Sequence, residues 1–344
     1  MVQAIAAEIA MRQHFIVDKQ IQSIYIGGGT PSLLTEAELA LIIQALHTHF
    51  TIAPSAEITI EANPDDINMA MLKMWQSFGI NRLSVGLQSF DQAELTWMNR
   101  GHTAAQSLQC IQQIKASGYS NFSVDLIYGS PLQTNEILKQ NFAIIANYNI
   151  PHVSCYALTV EKRTKLNKQI IEKSSPDINP DTQANQFYLL LQLMQQAGYE
   201  QYEISSFCLP NYNSVHNSSY WQSKPYYGFG PSAHAYNGSN KRRWNLANNS
   251  LYMAAIKNNT LPFEEEVLTK ADQLNEYVMM ALRTSVGIDL GKVTANFGYT
   301  EANRLITAAQ KYISNKKILH TNTHLLLTTE GKFFADGIAS HLFA

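Results

Sequence analysis

Between residues 21 and 160 the chain repeats one unit. A short apolar, β-branched run ends in a polar or Gly-rich turn, and an amphipathic helical pattern follows. The runs are Ile21–Ile26, Glu57–Glu61, Arg82–Leu87, Phe122–Ile127 and Val153–Leu158. Helical periodicity fills Glu36–Phe50, Ile67–Phe78, Ala104–Ser117 and Glu136–Tyr148. Gly79 and Gly118 stand where a helix C-terminus favours glycine. Strand spacings near ~30–35 residues match βα units, whose right-handed crossovers impose a parallel sheet. Periodicity alone leaves a barrel and a doubly wound sheet both open.

The pattern then changes. Lys162–Pro180 reads as an exposed loop or short helix, Thr182–Ala197 as a helix and Glu200–Ser205 as a strand. Residues 206–245 are rich in Tyr, Trp, Asn, Gly and Pro with little periodicity, and too aromatic for disorder. Helices over Lys270–Thr284 and Glu301–Asn315, the hairpin runs Ile318–His320 and Leu325–Thr328, and a helix from Glu330 resemble a winged helix. The expected domains are 1–205, 206–262 and 263–344.

Composition removes several function classes. With 344 residues, 45% apolar and a net charge of −2, the chain carries no general attraction to nucleic acid. The winged-helix region from Ser250 onward holds nine Lys/Arg against nine Asp/Glu, so it presents no basic excess. No run approaches a membrane span and no secretory leader opens the chain, which predicts a cytoplasmic protein. Cys110, Cys155 and Cys208 are scattered, match no metal-ligand spacing, and read as structural thiols.

Function in parallel α/β folds gathers at the C-terminal strand ends. Here those ends deliver Gly27-Gly28-Gly29-Thr30, Glu61, Gln88 and Asp125 in succession. Any one of them has an ordinary structural reading as a tight turn or a helix cap. Together they describe a polar small-molecule pocket, with glycines opening backbone groups and carboxylates gripping hydroxyls or an ammonium. The glycines form neither a P-loop nor a dinucleotide fingerprint.

These strings carry a resemblance. Ile24-Tyr25-Ile26-Gly27-Gly28-Gly29-Thr30-Pro31-Ser32, Glu61-Ala62-Asn63-Pro64, Asn81-Arg82-Leu83-Ser84-Val85-Gly86-Leu87-Gln88-Ser89-Phe90 and Asp125-Leu126-Ile127-Tyr128-Gly129 resemble radical S-adenosylmethionine proteins. The similar branch is that of the oxygen-independent coproporphyrinogen III oxidases and the related heme chaperones. The resemblance implies a partial (β/α)6 TIM-like barrel with a small C-terminal α+β winged-helix-like domain. It implies that Gly28, Gly29 and Thr30 hold the methionine end of S-adenosylmethionine, and that Glu61, Gln88, Arg100 and Asp125 complete that site.

Gln88-Ser89-Phe90 and His216-Asn217-Ser218-Ser219-Tyr220-Trp221 resemble the heme-chaperone version, which makes His216 the expected heme ligand. The expected partners are heme and heme-accepting proteins. Lys241-Arg242-Arg243 offers cations for propionates, or else a solvated basic loop. The alternative is an enzyme of the coproporphyrinogen oxidase type. In the family a [4Fe–4S] cluster is held by Cys-x₃-Cys-x₂-Cys after a first strand. Those cysteines lie ahead of the helix that opens this chain, and Met1 aligns with an interior position of the family's chain. The expectation is therefore a barrel lacking its first strand and cluster loop, through a start codon placed too late rather than natural loss.

Overall fold

In the computed structural model, residues 1–18 and 20–344 are described. The elements run α1 (Val2–Arg12), β1 (Gln20–Ile26), α2 (Glu36–His49), β2 (Thr51–Ala62), α3 (Met69–Ser77), β3 (Arg82–Gln88), α4 (Gln92–Trp97) and α5 (Ala104–Ala116). They continue through β4 (Phe122–Tyr128), α6 (Asn135–Asn147), β5 (His152–Ala157), α7 (Lys165–Ile171), α8 (Pro180–Gln196), β6 (Glu200–Gln201) and β7 (Ser206–Cys208). Strands β1 to β7 form one curled half-barrel sheet in the order β1-β2-β3-β4-β5-β7-β6. The pairs β2–β3, β3–β4 and β4–β5 are parallel, as the βα spacing predicts, and β7 joins β5 antiparallel.

Strands buried on both faces normally read as unbroken apolar runs. These alternate instead. One face carries Ile58, Ile60, Leu83, Val85, Leu87, Val124, Leu126, Val153 and Cys155, all buried. It belongs with the apolar sides of the flanking helices, such as Leu72 and Trp75 of α3 or Ile111 and Ile114 of α5. The register pairs Thr59 with Arg82, Glu61 with Ser84, Ser84 with Ser123, and Asp125 with Ser154, so the opposite face is polar. Thr59, Arg82, Ser123 and Ser154 of that face are buried, and Glu61, Ser84 and Asp125 line an open cleft.

The chain divides into two compact units. One comprises Tyr25–Leu33 and Ile58–Asn213; the other comprises Met1–Ile24, Leu34–Glu57 and Ser214–Ala344. The second holds α9 (Val215–Trp221), β8 (His234–Tyr236), β9 (Lys241–Asn245), α10 (Asn249–Lys257) and β10 (Phe263–Val267). Strands β8, β9 and β10 make a three-stranded antiparallel sheet. The aromatic-rich segment is therefore ordered by a hairpin that periodicity missed. Its strands are only three to five residues long and their pairing is with each other or with residues 263–267.

The C-terminal module follows with α11 (Lys270–Leu282), β11 (Ile288–Asp289), α12 (Leu290–Phe297), α13 (Tyr299–Ser314), β12 (Ile318–His320), β13 (His324–Leu327), α14 (Thr329–Lys332) and α15 (Ala335–Leu342). Its sheet order is β11-β13-β12, giving the element order of a winged helix. Two expectations shift in detail. Strand β2 begins at Thr51 and runs through Pro54, although only Thr59–Ala62 pairs with β3. The expected strand over 200–205 is two residues of β6, and Ser206–Cys208, at the start of the segment of little periodicity, forms β7.

Candidate functional site

The polar strand ends meet in one cleft of about 230 Å³. Gly29, Thr30, Glu61, Gln88, Arg100 and Asp125 line it, joined by Asn63, Ser84 and Gly86. Glu61 anchors the glycine turn: one carboxylate oxygen accepts the Tyr25 hydroxyl at 2.8 Å and the other accepts the Gly28 amide at 3.0 Å. The turn is open because Gly28 and Gly29 sit at φ +79° and +74°, a conformation that favours glycine. At Gly27 a Cβ would fall 2.5 Å from Tyr25 Cε1 and 2.8 Å from Glu61 Oε1.

Gln88 ends β3 in the left-handed region, φ 69°, beside a register shift between Val85 and Gln88. Such strain in a non-glycine residue persists where the surroundings enforce it, commonly at ligand clamps. Arg100 arrives from the connection after α4. Its Nη2 donates to Gly86 O at 3.1 Å and Asn63 Oδ1 at 3.3 Å, while its buried Nε has no partner among the described residues. A buried guanidinium N–H with no acceptor, on a residue that lines the cleft, fits a ligand that supplies one. Burial pushes the Asp125 carboxyl up to about 6, with Glu61 adding to the rise and the Ser154 hydrogen bond opposing it.

His216 belongs to the other unit. Ser214 caps α9, and Glu57 accepts the Ser214 hydroxyl at 3.2 Å and the Val215 and His216 amides at 3.1 and 2.9 Å. The carboxylate at the helix start thus fixes the residue's backbone. The imidazole Nδ1 lies 3.0 Å from Ser23 Oγ, and the ring meets Tyr220 edge-on at 5.1 Å. Burial lowers its pKa, against an upward pull from Glu57, so the neutral, ligating form prevails at neutral pH.

Residues 4–144 match the radical SAM superfamily and residues 268–334 the HemN C-terminal domain. The heme chaperone HemW of Lactococcus lactis is 31% identical over 325 residues, spanning 93% of this chain and 84% of that protein. The chain belongs to the HemW-like radical SAM family. The Mycobacterium tuberculosis heme chaperone HemW is 30% identical over 342 residues, covering 98% of this chain and 85% of its own. In fold, this HemW-like chain follows the Escherichia coli coproporphyrinogen III oxidase (HemN), a radical SAM enzyme. The TM-score is 0.85 at 19% identity, over 99% of this chain and 82% of that one.

The radical SAM family implies S-adenosylmethionine and a [4Fe–4S] cluster. The cleft fits the first: an open glycine turn, two carboxylates and an unpartnered Arg100 donor suit an amino acid joined to a nucleoside. For the cluster the described residues offer no ligand set. No group of three or more His, Cys, Asp or Glu could hold a metal among them, and Cys110, Cys155 and Cys208 lie buried on α5, β5 and β7. Burial pushes the Cys110 thiol up to about 12 and Cys208 to about 11, keeping them protonated and inert. No helix among the described residues is long and apolar enough to cross a membrane.

The triplet Lys241-Arg242-Arg243 is a correction for this HemW-like chain. It is not a loop: it forms β9, against the Glu run of β10. Lys241 and Arg243 pair with Glu265 at 3.3 and 2.5 Å, and Arg242 with Glu266 and Glu276 at 3.3 and 2.6 Å. Asn63, Ser84 and Tyr25 escaped the sequence reading as site residues. Strand alternation from Glu61 and Gly86 would have pointed to Ser84; the other two had no distinctive signal.

Proposed function

We propose that this chain is a heme-handling protein: it binds heme through His216, binds S-adenosylmethionine in the Glu61–Asp125 cleft, and passes heme to acceptor proteins. The observation that carries the heme half is the setting of His216. Its backbone is fixed by Glu57, its ring is held beside Ser23 and Tyr220, and its imidazole is neutral at neutral pH. The near full-length likeness to proteins named heme chaperone HemW supports it. The nucleoside half draws on the cleft: Gly28, Gly29 and Thr30 receive the methionine end, while Glu61, Gln88, Arg100 and Asp125 complete the site.

Hemin titration followed at the Soret band tests the first half. Wild type is expected to saturate, and His216→Ala to lose or shift the band; identical spectra in the two proteins would sink the assignment of His216. Calorimetric titration with S-adenosylmethionine tests the second half, and absence of binding to the wild-type chain would end it. Transfer is tested by mixing hemin-loaded protein with a heme-free acceptor and following spectral exchange.

A further inference from the structure

Within the unit that holds His216, a cavity of about 340 Å³ opens beside α9 and is lined by α11, α12 and the β8–β9 hairpin. Its volume falls in the range of small-molecule sites. Its charge is one-sided. Lys224, Lys270, Lys292 and Arg242 face it against one carboxylate, Glu276. Arg242 already neutralises Glu276 at 2.6 Å, and none of the three lysines is in an ion pair among the described residues. In a chain of net charge −2, that leaves three uncompensated cations around one hollow.

The hollow is also aromatic. From His216 a continuous row of rings leads into it: His216–Tyr220 at 5.1 Å, Tyr220–Tyr226 at 4.7 Å and Tyr226–Tyr236 at 6.4 Å. Lys292 sits 4.8 Å over the Tyr277 ring and Lys270 5.8 Å from the Phe297 ring centre, so the cations and rings are interleaved. Rings offer a planar ligand apolar faces, and lysines at the margin offer its anionic groups charge.

We infer that this cavity is a second binding surface, for a planar aromatic polycarboxylate, and that it receives the carboxylate-bearing side of a porphyrin whose iron lies toward His216. The identity of the occupant rests on the heme reading above; the preference for a planar anion does not. The lysines then supply the propionate-pairing cations that were one of two readings of Lys241-Arg242-Arg243, in which Lys241 and Arg243 pair with Glu265.

The test uses the full chain with two probes, hemin and iron-free protoporphyrin IX, because only hemin has a metal for His216 to ligate. The double variant Lys270→Gln/Lys292→Gln is expected to bind both about 10-fold more weakly. Its affinity should also lose most of the salt dependence seen in wild type. His216→Ala should weaken hemin while leaving protoporphyrin IX within about twofold. The lysines are exposed, and thermal melting checks the fold; Lys224→Glu is an independent second variant acting from the other wall. Lysine variants that bind both probes like wild type would overturn the cavity while leaving the heme reading standing. Loss of both probes in the lysine variants with hemin indifferent to His216→Ala would support the cavity and overturn the His216 assignment. Binding of adenosine triphosphate in preference to protoporphyrin IX would overturn the porphyrin as occupant, and failure of wild type to bind either porphyrin would overturn both readings.

Discussion

Glu61, at the end of β2, accepts the backbone N–H of Gly28 at 3.0 Å. One carboxylate thereby fixes the glycine turn and lines the cleft at the same time. The turn's shape and the site's charge cannot be altered separately at this residue.

Glu61→Gln is expected to lower S-adenosylmethionine affinity about 10- to 100-fold, since a charged hydrogen-bonding partner is worth about 1.5–3 kcal/mol. The amide must also face two donors, the Tyr25 hydroxyl and the Gly28 amide, with one acceptor oxygen. Calorimetry on wild type and variant measures it; unchanged affinity would reduce Glu61 to a tether for the turn.

Gly27→Ala and Gly28→Ala should differ. The Gly28 position is open, and alanine there meets only the left-handed backbone penalty of about 1–2 kcal/mol. At Gly27 the added Cβ drives into Tyr25 and Glu61, costing about 1–3 kcal/mol as overpacking and displacing the carboxylate. Ligand affinity should therefore fall further for Gly27→Ala, in parallel binding and melting measurements.

Asp125 makes a pH prediction. Its folded pKa is about 6 against about 3.9 when unfolded. The native state thus holds the extra proton between those values, and its stability from this group falls as pH rises through that window. Asp125→Asn removes the penalty of the buried charge. It should melt higher than wild type at pH 7.5, by about 1–2 kcal/mol after allowance for partial solvent access, with the gap closing toward pH 4. The same variant should bind S-adenosylmethionine more weakly. Melting curves across pH 4–8 decide it; a gap that widens at low pH would contradict the assignment.

Glu8 and Arg12 form a buried ion pair at 2.8 Å, with side chains 0% and 1% exposed. Glu8 also accepts from Gly230 N at 2.8 Å, Asn245 Nδ2 at 2.7 Å and the Tyr252 hydroxyl at 2.6 Å. Arg12→Met should destabilise by about 3–5 kcal/mol, because it leaves this carboxylate buried without its counter-charge. Adding Glu8→Gln should recover part of the loss, giving a non-additive cycle in denaturant melts.

Much of the site was legible along the chain. Strand ends in a parallel sheet are marked by where β-branched runs stop, and the residues at those stops, Glu61, Gln88 and Asp125, reach one cleft because the strands are neighbours in register. Arg100 was legible only through family likeness. It comes from an irregular connection, where no periodicity says which way a side chain points. The Lys241–Arg243 triplet misled for the opposite reason: its neutralising partners lie more than 20 residues away, across a strand pairing.

The repeat of strand and helix, by itself, determined the parallel sheet, because right-handed crossovers leave few other ways to bury those apolar faces. The motif strings determined the family. Tertiary structure decided which polar groups share a space and which cancel one another. Hydrogen-bond register set the polar inner face, the Glu57 carboxylate fixed His216, and the β9–β10 pairing placed Lys241, Arg242 and Arg243 against glutamates while three distant lysines gathered around one hollow. Charges act over a few ångströms of space, and distance along the chain does not measure that.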